Sequence, residues 1–340
     1  MSKDFLLALG IHRIPIALPF AGAGGPVNVY VFEREEGGLA LFDAGFGTRS
    51  AEESFRVSLQ ARGLEVCRIQ DIYVSHGHVD HFGLAQTLAE ESGATVHVHA
   101  RDFRKVVGPS PLAEVTPGFE ARFRRLGVPE GDLRLSLSLL RQQEKFARRV
   151  DPERARVLAP GTRLQFRRSS VEVLEMPGHT PGLVCLWDAE HRLFFADDHV
   201  LARVSPSPLL ESGFRALEAY LASAQRVYDL DIEWVLPGHG AAFQGHREVL
   251  GRFFDACARQ QDLLLGLLAE GPCTAHGLAQ KLLGPHPPTR LFLTLSAVVG
   301  DLEVLEAAGR VERVEEPGVD RYRLPCGETR SRSWQESQIG

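Results

Sequence analysis

The chain has 340 residues, 44% of them hydrophobic, and a formal net charge of −6. That length exceeds one ordinary domain, so a large domain with a smaller one appended is the expectation. The acidic balance argues against a surface built to grip a polyanion, and so against a protein that depends on phosphate contacts.

The apolar N-terminus, "MSKDFLLALGIHRIPIALPFAGAGGPVNVYVFE", is interrupted by Arg13, Pro15 and Pro19. The interruptions fall well before the roughly 18 to 20 apolar residues of a membrane span. Period-two alternation in "IHRIPIAL" and "VNVYVFE" predicts two strands joined by a Gly-rich turn instead. Five scattered cysteines, Cys67, Cys185, Cys257, Cys273 and Cys326, form no C-x-x-C pair. They predict reduced thiols in a cytoplasmic protein with no membrane association.

From residue 11 to about 100, strand-like and helix-like text alternate: "GLALFDAG", "SAEESFRVSLQARG", "IQDIYVSHG", "HFGLAQTLAEESG", "ATVHVHA". This pattern predicts an α/β layer structure. Residues 101–160 are rich in Arg and Glu, and "PGFEARFRRLG" and "LRLSLSLLRQQEKFARRV" predict a mainly helical insertion whose charges form a solvated face. Strands resume over residues 162–200 with a hairpin turn at "DAEH". A helix, "FRALEAYLASAQRVYDL", and a last strand, "IEWVLPGHG", follow. Beyond residue 245, helices over 247–269, 274–283 and 290–308 precede a hairpin turned by "EEPGVD", the order of a winged helix-turn-helix unit. The expected division is therefore 1–245 with the insertion, 246–325, and a polar disordered tail at 326–340.

The chemistry concentrates in "VSHGHVDHFG", residues 74–83. Imidazole nitrogen and carboxylate oxygen are ligands that Zn²⁺ or Fe²⁺ accepts, and the spacing of His76 and His78 puts both on one side of an extended segment. Asp80 and His81 follow where a helix would begin. Further residues of ligand type stand at other strand ends: Asp43 in "FDAG", His179 in "EMPGHTPG", Asp197 and Asp198 in "LFFADDHV", His239 in "WVLPGHG". Each alone also suits an ordinary turn, but repetition at one type of position describes a sheet edge converging on one site. His97 and His99 in "TVHVHA" share a strand face and are read as structural.

The order of these motifs over residues 11–245 resembles the metallo-β-lactamase superfamily. The resemblance implies a four-layer αβ/βα sandwich with the site at one sheet edge. It also implies that His76, His78 and His179 hold a first metal, that Asp80, His81 and His239 hold a second, and that Asp198 bridges them. The family commonly has glycine before that aspartate, where this chain has Asp197. Asp43 is expected to fix a ligand imidazole from behind, while His199 either lines the site or is an ordinary loop histidine. Two divalent ions, Zn²⁺ first with Fe²⁺ or Mn²⁺ as the other options, would share a water whose pKa falls toward about 7. The implied reaction is attack by this bridging hydroxide on an ester or thioester of a small substrate, with Asp80 orienting it and handling its proton.

The C-terminal unit resembles the tail of the branch containing β-lactamase-like protein 2, whose human member is regarded as an endoribonuclease; glyoxalase II thioesterases are neighbours. Cleavage of single-stranded RNA is therefore the alternative reading. Against it, Asp301, Glu303 and Glu306 lie on the body of the third helix, which disfavours insertion into a nucleic-acid groove. The apolar "LFLTLSAVV" is expected to pack on the catalytic domain or a second subunit of a homodimer. The insertion is expected to serve either as a lid or substrate wall over the site or as a packing or dimerisation element.

Overall fold

A computed structural model describes residues 3–19, 25–146, 148–203, 207–284 and 288–325. The proposed tail at 326–340, Cys326 and most of the Gly-rich turn before Gly25 lie outside the described residues. Helix α1 (Lys3–Ala8) leads into strands β1 (Ile11–Ile16), β2 (Val27–Glu33) and β3 (Leu39–Phe42). Next come α2 (Arg49–Gln60), β4 (Ile69–Val74), α3 (Val79–Phe82), α4 (Ala85–Ser92) and β5 (Thr95–His99). Helices α5 (Phe103–Val106), α6 (Leu112–Arg125) and α7 (Glu130–Gln143) then separate β5 from β6 (Ala155–Leu158). Strands β1 to β6 form one mixed sheet in chain order, antiparallel through β3 and parallel from there.

The second sheet holds β7 (Arg163–Gln165), β8 (Ser170–Glu175), β9 (Val184–Asp188), β10 (Leu193–Asp197) and, after α8 (Ala216–Asp229), β11 (Trp234–Pro237). Its order is β11-β10-β9-β8-β7, with only β10 and β11 parallel.

The sheets pack face to face because alternate residues of each strand are apolar. Tyr30, Phe32, Phe42 and Tyr73 meet Val171, Val184, Leu186 and Phe195 in the shared core. Outside the first sheet, the N-cap Thr48 accepts a hydrogen bond from Ala51 N, and α2 then presents Ala51, Phe55 and Leu59, four residues apart, to the sheet. Burying Phe55 and Leu59 contributes about 2 kcal/mol each. Helix α8 covers the second sheet through Tyr220, Ala224 and Val227, which completes the four layers that the resemblance implied.

Helices α9 (His246–Leu268), α10 (Ala275–Leu283) and α11 (Pro288–Ala307) and the hairpin β12 (Glu312–Glu316)–β13 (Val319–Arg323) follow. Helix α9 joins the regions: Leu250 packs on the second sheet, while Leu264 and Leu268 enter a separate core. That core also takes Phe123, Leu133 and Leu137 from α6 and α7. The insertion is thus a packing partner of the C-terminal helices, tied further by the Arg122–Glu303 pair at 3.0 Å and the Arg125–Asp320 pair. The apolar run of α11 packs for the most part on α7, α8, α9 and α10 of its own chain, with Leu293 left exposed.

Local readings differ in three places. Helix α1 was not foreseen, and β6 lies within the span read as mainly helical; its four residues carry too little alternation to announce a strand. Helix α6 begins five residues before Pro117 and runs through it. The Thr116 hydroxyl donates to the Leu112 carbonyl at 2.6 Å beside the proline, and the Phe123 face is buried. No helix among the described residues is long and apolar enough to cross a membrane.

Candidate metal centre

The two sheets are stapled together at the end where the motifs converge. Asn28 N donates to Gly238 O at 2.7 Å, Tyr30 Oη to Pro237 O at 2.8 Å, and Val184 N to Ser75 O at 2.9 Å. Asp43 follows β3, residues 75–81 follow β4, His179 follows β8, Asp197 and Asp198 end β10, and His239 follows β11. The first sheet supplies one half of the cluster and the second sheet the other.

After β4 the chain bends at His76 and Gly77 instead of staying extended as the spacing suggested, and His78 then caps α3 and so places Asp80 and His81 in its first turn. Gly77 lets this turn pass Lys105, since an added Cβ would lie 2.6 Å from Lys105 Cβ. Gly238 performs the same service inside the site, where a Cβ would stand 2.6 Å from Asp198 Oδ1.

Three nitrogens converge at one point: His78 Nδ1 is 2.8 Å from His76 Nε2 and 3.0 Å from His179 Nε2. His179 Nδ1 is 2.9 Å from the carbonyl of Ser207, which can only accept, so Nδ1 carries the proton. Burial pushes His179 down to about 4, leaving Nε2 a bare donor of electrons. Burial and the neighbouring His76 and His179 likewise hold His78 well below the usual histidine range. Among the described residues His76, His78 and His179 form a group able to hold an ion.

A second group lies alongside. His239 Nε2 is 3.5 Å from Asp80 Oδ2 and from Asp198 Oδ1, while His81 Nε2 is 3.8 Å from Asp80 Oδ2 and 3.6 Å from Asp198 Oδ2. Asp80, His81 and His239 form another group able to hold an ion, and Asp198 Oδ2 also stands 3.5 Å from His179 Nε2. Asp198 therefore faces both groups.

Asp197 lies on the other side of the rings. Its Oδ1 is 3.2 Å from His76 Nδ1 and 3.4 Å from His81 Nδ1. Asp43 Oδ2 stands 2.9 Å from His81 Nδ1, and the Asp43 carboxylate accepts both the amide of Ser75 at 2.8 Å and its hydroxyl at 3.0 Å. Burial and the adjacent Asp197 raise the Asp43 carboxyl well above the usual range.

The donor set fits cations. Nitrogens about 2.0–2.1 Å from a tetrahedral ion stand about 3.3 Å apart, close to the separations observed. His81 Nε2 and Asp198 Oδ1 are buried with no hydrogen-bond partner among the described residues, a costly state unless something else satisfies them. Burial opposes charge on His239, yet Asp198 and Asp80 outweigh it and lift it to about 10. This corner of the site is short of positive charge.

Other residues fall outside the cluster. His199 is buried with its ring 4.8 Å from that of Tyr220, whose hydroxyl donates to the His199 carbonyl at 2.7 Å. His97 pairs with Asp71 at 2.6 Å and stacks on Tyr73, and His99 lies 3.6 Å from Glu175. Sequence reasoning missed Asp102, which accepts from Gly77 N at 2.9 Å, Thr180 Oγ1 at 2.6 Å and Gly182 N at 3.3 Å. It ties the loop of His76 and His78 to the loop of His179, with Lys105 at 3.1 Å balancing its charge. Its place just beyond β5, another strand end, was the available signal.

Comparison with known proteins bears on the family and the fold. The model of the metallo-beta-lactamase superfamily matches residues 22–239. A Bacillus subtilis protein described as probable metallo-hydrolase YqjP is 28% identical over 303 residues, covering 86% of this chain and 92% of that protein. The Gallus gallus acyl-coenzyme A thioesterase MBLAC2 is 26% identical over 235 residues, 67% of this chain and 77% of that one. The crystal structure of the metallo-beta-lactamase family protein TTHA1429 from Thermus thermophilus superposes with a TM-score of 0.78 at 27% identity, covering 93% of this chain and 99% of that one.

Proposed function

The chain belongs to the metallo-β-lactamase superfamily and is a metal-dependent hydrolase, and on that premise we propose that it hydrolyses the carbonyl thioester or ester of a small substrate at a two-metal centre. In this reading His76, His78 and His179 hold one divalent ion, Asp80, His81 and His239 hold the other, and Asp198 touches both. The observation that carries it is that two largely buried donor groups lie side by side, with Asp198 within 3.6 Å of members of both.

When bound, a pair of divalent ions supplies an acidified water and a Lewis acid for a carbonyl oxygen. The chain's own residues do the rest. Asp43 and the Ser75 hydroxyl hold the Nδ1 sides of His81 and His76, so that each Nε2 points inward. Asp80, whose side chain is more exposed than that of Asp198, is the carboxylate placed to orient the attacking water and take its proton. No serine or cysteine nucleophile is needed.

Two features favour a small carbonyl substrate over RNA. Helix α11 carries acidic residues on its body and the chain is acidic overall, and the MBLAC2 relative is described as an acyl-coenzyme A thioesterase. Zn²⁺ is the proposed native ion. The test is turnover by metal-replete protein on a panel of acyl thioesters, esters and lactones, with metal content determined on the same samples. Asp80→Ala is expected to lower kcat/KM by roughly 10²–10⁴-fold. Cleavage of single-stranded RNA with an inert panel would replace this reading with the nuclease one.

A further inference from the structure

Among the described residues only three other than glycine have a left-handed backbone: Asp43 (φ 65°), Arg192 (φ 56°) and Asp197 (φ 49°). Arg192 lies in the β9–β10 turn. Asp43 and Asp197 lie behind the cluster, both with a carboxylate oxygen against His81 Nδ1, at 2.9 and 3.4 Å. A side chain is disfavoured in such a conformation, and a carboxylate buried beside another carboxylate is disfavoured again, so what Asp197 touches must compensate.

A single oxygen makes the relevant contacts. Asp197 Oδ1 accepts the backbone N–H of Asp198 at 2.7 Å and stands 3.2 Å from His76 Nδ1 and 3.4 Å from His81 Nδ1. Each contact leads to a different part of the proposed centre: His76 to the first ion, His81 to the second, Asp198 to both. The other supports are narrower, since Ser75 Oγ reaches only the His76 ring at 2.9 Å and Asp43 only the His81 ring.

We propose that Asp197 is a positioning residue common to both metal sites, coupling the orientation of His76, His81 and Asp198 through one carboxylate oxygen. Asp197 also falls with His76, His81 and Asp198 in a third group of ligand-type atoms, but its Oδ1 meets both rings at Nδ1 rather than at the Nε2 atoms that line the other two groups, so it is assigned to holding the rings rather than an ion. The inference rests on the ligand reading above and extends it to a residue at the position where the family commonly has glycine. Glycine suits the backbone there but offers no acceptor to the two rings.

The test is titration of metal-free full-length protein with Zn²⁺ against a chromophoric chelator, and with Co²⁺ by visible absorption, in wild type, Asp197→Gly, Asp197→Asn and Ser75→Ala. Asp197→Gly is expected to weaken both equivalents about 10- to 100-fold, the usual effect of removing a partner behind a ligand. Asn keeps one acceptor oxygen and tolerates a left-handed backbone, so Asp197→Asn should recover part of the loss. Ser75→Ala should weaken one equivalent more than the other. Thermal unfolding of the metal-free proteins supplies the control: Asp197→Gly should be no less stable than wild type, because glycine relieves the backbone and a buried carboxylate is gone.

Wild-type affinity for both equivalents in Asp197→Gly overturns the proposal. A loss of metal-free stability with unchanged affinity overturns it too, by assigning the residue to the fold alone. A wild-type chain that takes up no Zn²⁺ or Co²⁺ overturns the ligand reading beneath it, whereas failure on every ester and thioester leaves the metal titrations to decide on Asp197.

Discussion

The metal centre and the core shared by α6, α7 and α9–α11 are both buried, yet they are built on opposite terms. At the centre, polar atoms aim inward at one another at 2.8 to 3.8 Å, two backbones sit in a disfavoured region, and donors stay unpaired. In the shared core, Phe119 and Phe123 stack with ring centroids 4.0 Å apart, Phe292 lies parallel to Phe123, and Leu295, Val298 and Leu302 fill in around them. Left-handed backbones and unpaired buried atoms disfavour the folded state at the centre, whereas buried apolar contacts favour it in the shared core. A cavity of about 200 Å³ is lined by Ser207, Leu217, Phe253, Cys257, Ser296 and Asp301.

The largest expected effect breaks the apolar side alone. Phe123→Ala should cost about 3–5 kcal/mol in denaturant unfolding, since it removes a fully buried ring from a stack. Metal affinity of the folded variant should stay at the wild-type value. A matching fall in affinity would mean that the two regions are energetically one.

Asp301 gives the intermediate case, a carboxyl of the apolar region at the cavity wall. It is held by Gln260 at 2.6 Å and Gln261 at 3.0 Å, and burial raises it to about 6 from 3.8. Because the native state binds this proton more tightly than the unfolded state, its contribution to stability falls as pH rises from about 4 to about 6 and is constant above. Asp301→Asn should remove that slope, so the stability difference between variant and wild type should move toward the variant by on the order of 2–3 kcal/mol over that window. A difference that does not change with pH would sink this account.

The smallest expected effect is at Thr274, whose side chain caps α10 by accepting from Gly277 N at 3.0 Å. Thr274→Ala should cost about 1 kcal/mol with metal binding untouched.

The same contrast decides what could be read from sequence. The histidines and aspartates at strand ends announce themselves because each sits in a short local motif and the alternating text around it fixes where the strand stops. The structure brings His76, His78, Asp80, His81, His179, Asp198 and His239 together as those motifs suggested. Asp102 shares the strand-end position but stands in no ligand-rich motif, and its three donors come from Gly77, Thr180 and Gly182, which meet it only after both sheets have formed. The resemblance pointed to Asp198 over Asp197, but that the two face different nitrogens of the same rings was not legible, because neighbouring residues look alike until the chain is folded. The insertion's role was illegible for the same reason: the periodicity of α6 and α7 shows that they have an apolar face, but not that Leu264 and Leu295 lie against it.

The staple between Asn28, Tyr30 and the 237–238 backbone carries a consequence for how the protein is made. His76, His78, Asp80 and His81 lie beyond the first sheet, and His179, Asp198 and His239 beyond the second. On the proposed assignment neither ion has a full set of ligands in either half alone. A nascent chain emerging from the ribosome therefore closes its second metal set only after residue 239 has been synthesised and β11 has docked beside β10. Metal capture would then be a late event in maturation, and retention of both ions would report that the two halves have closed on each other.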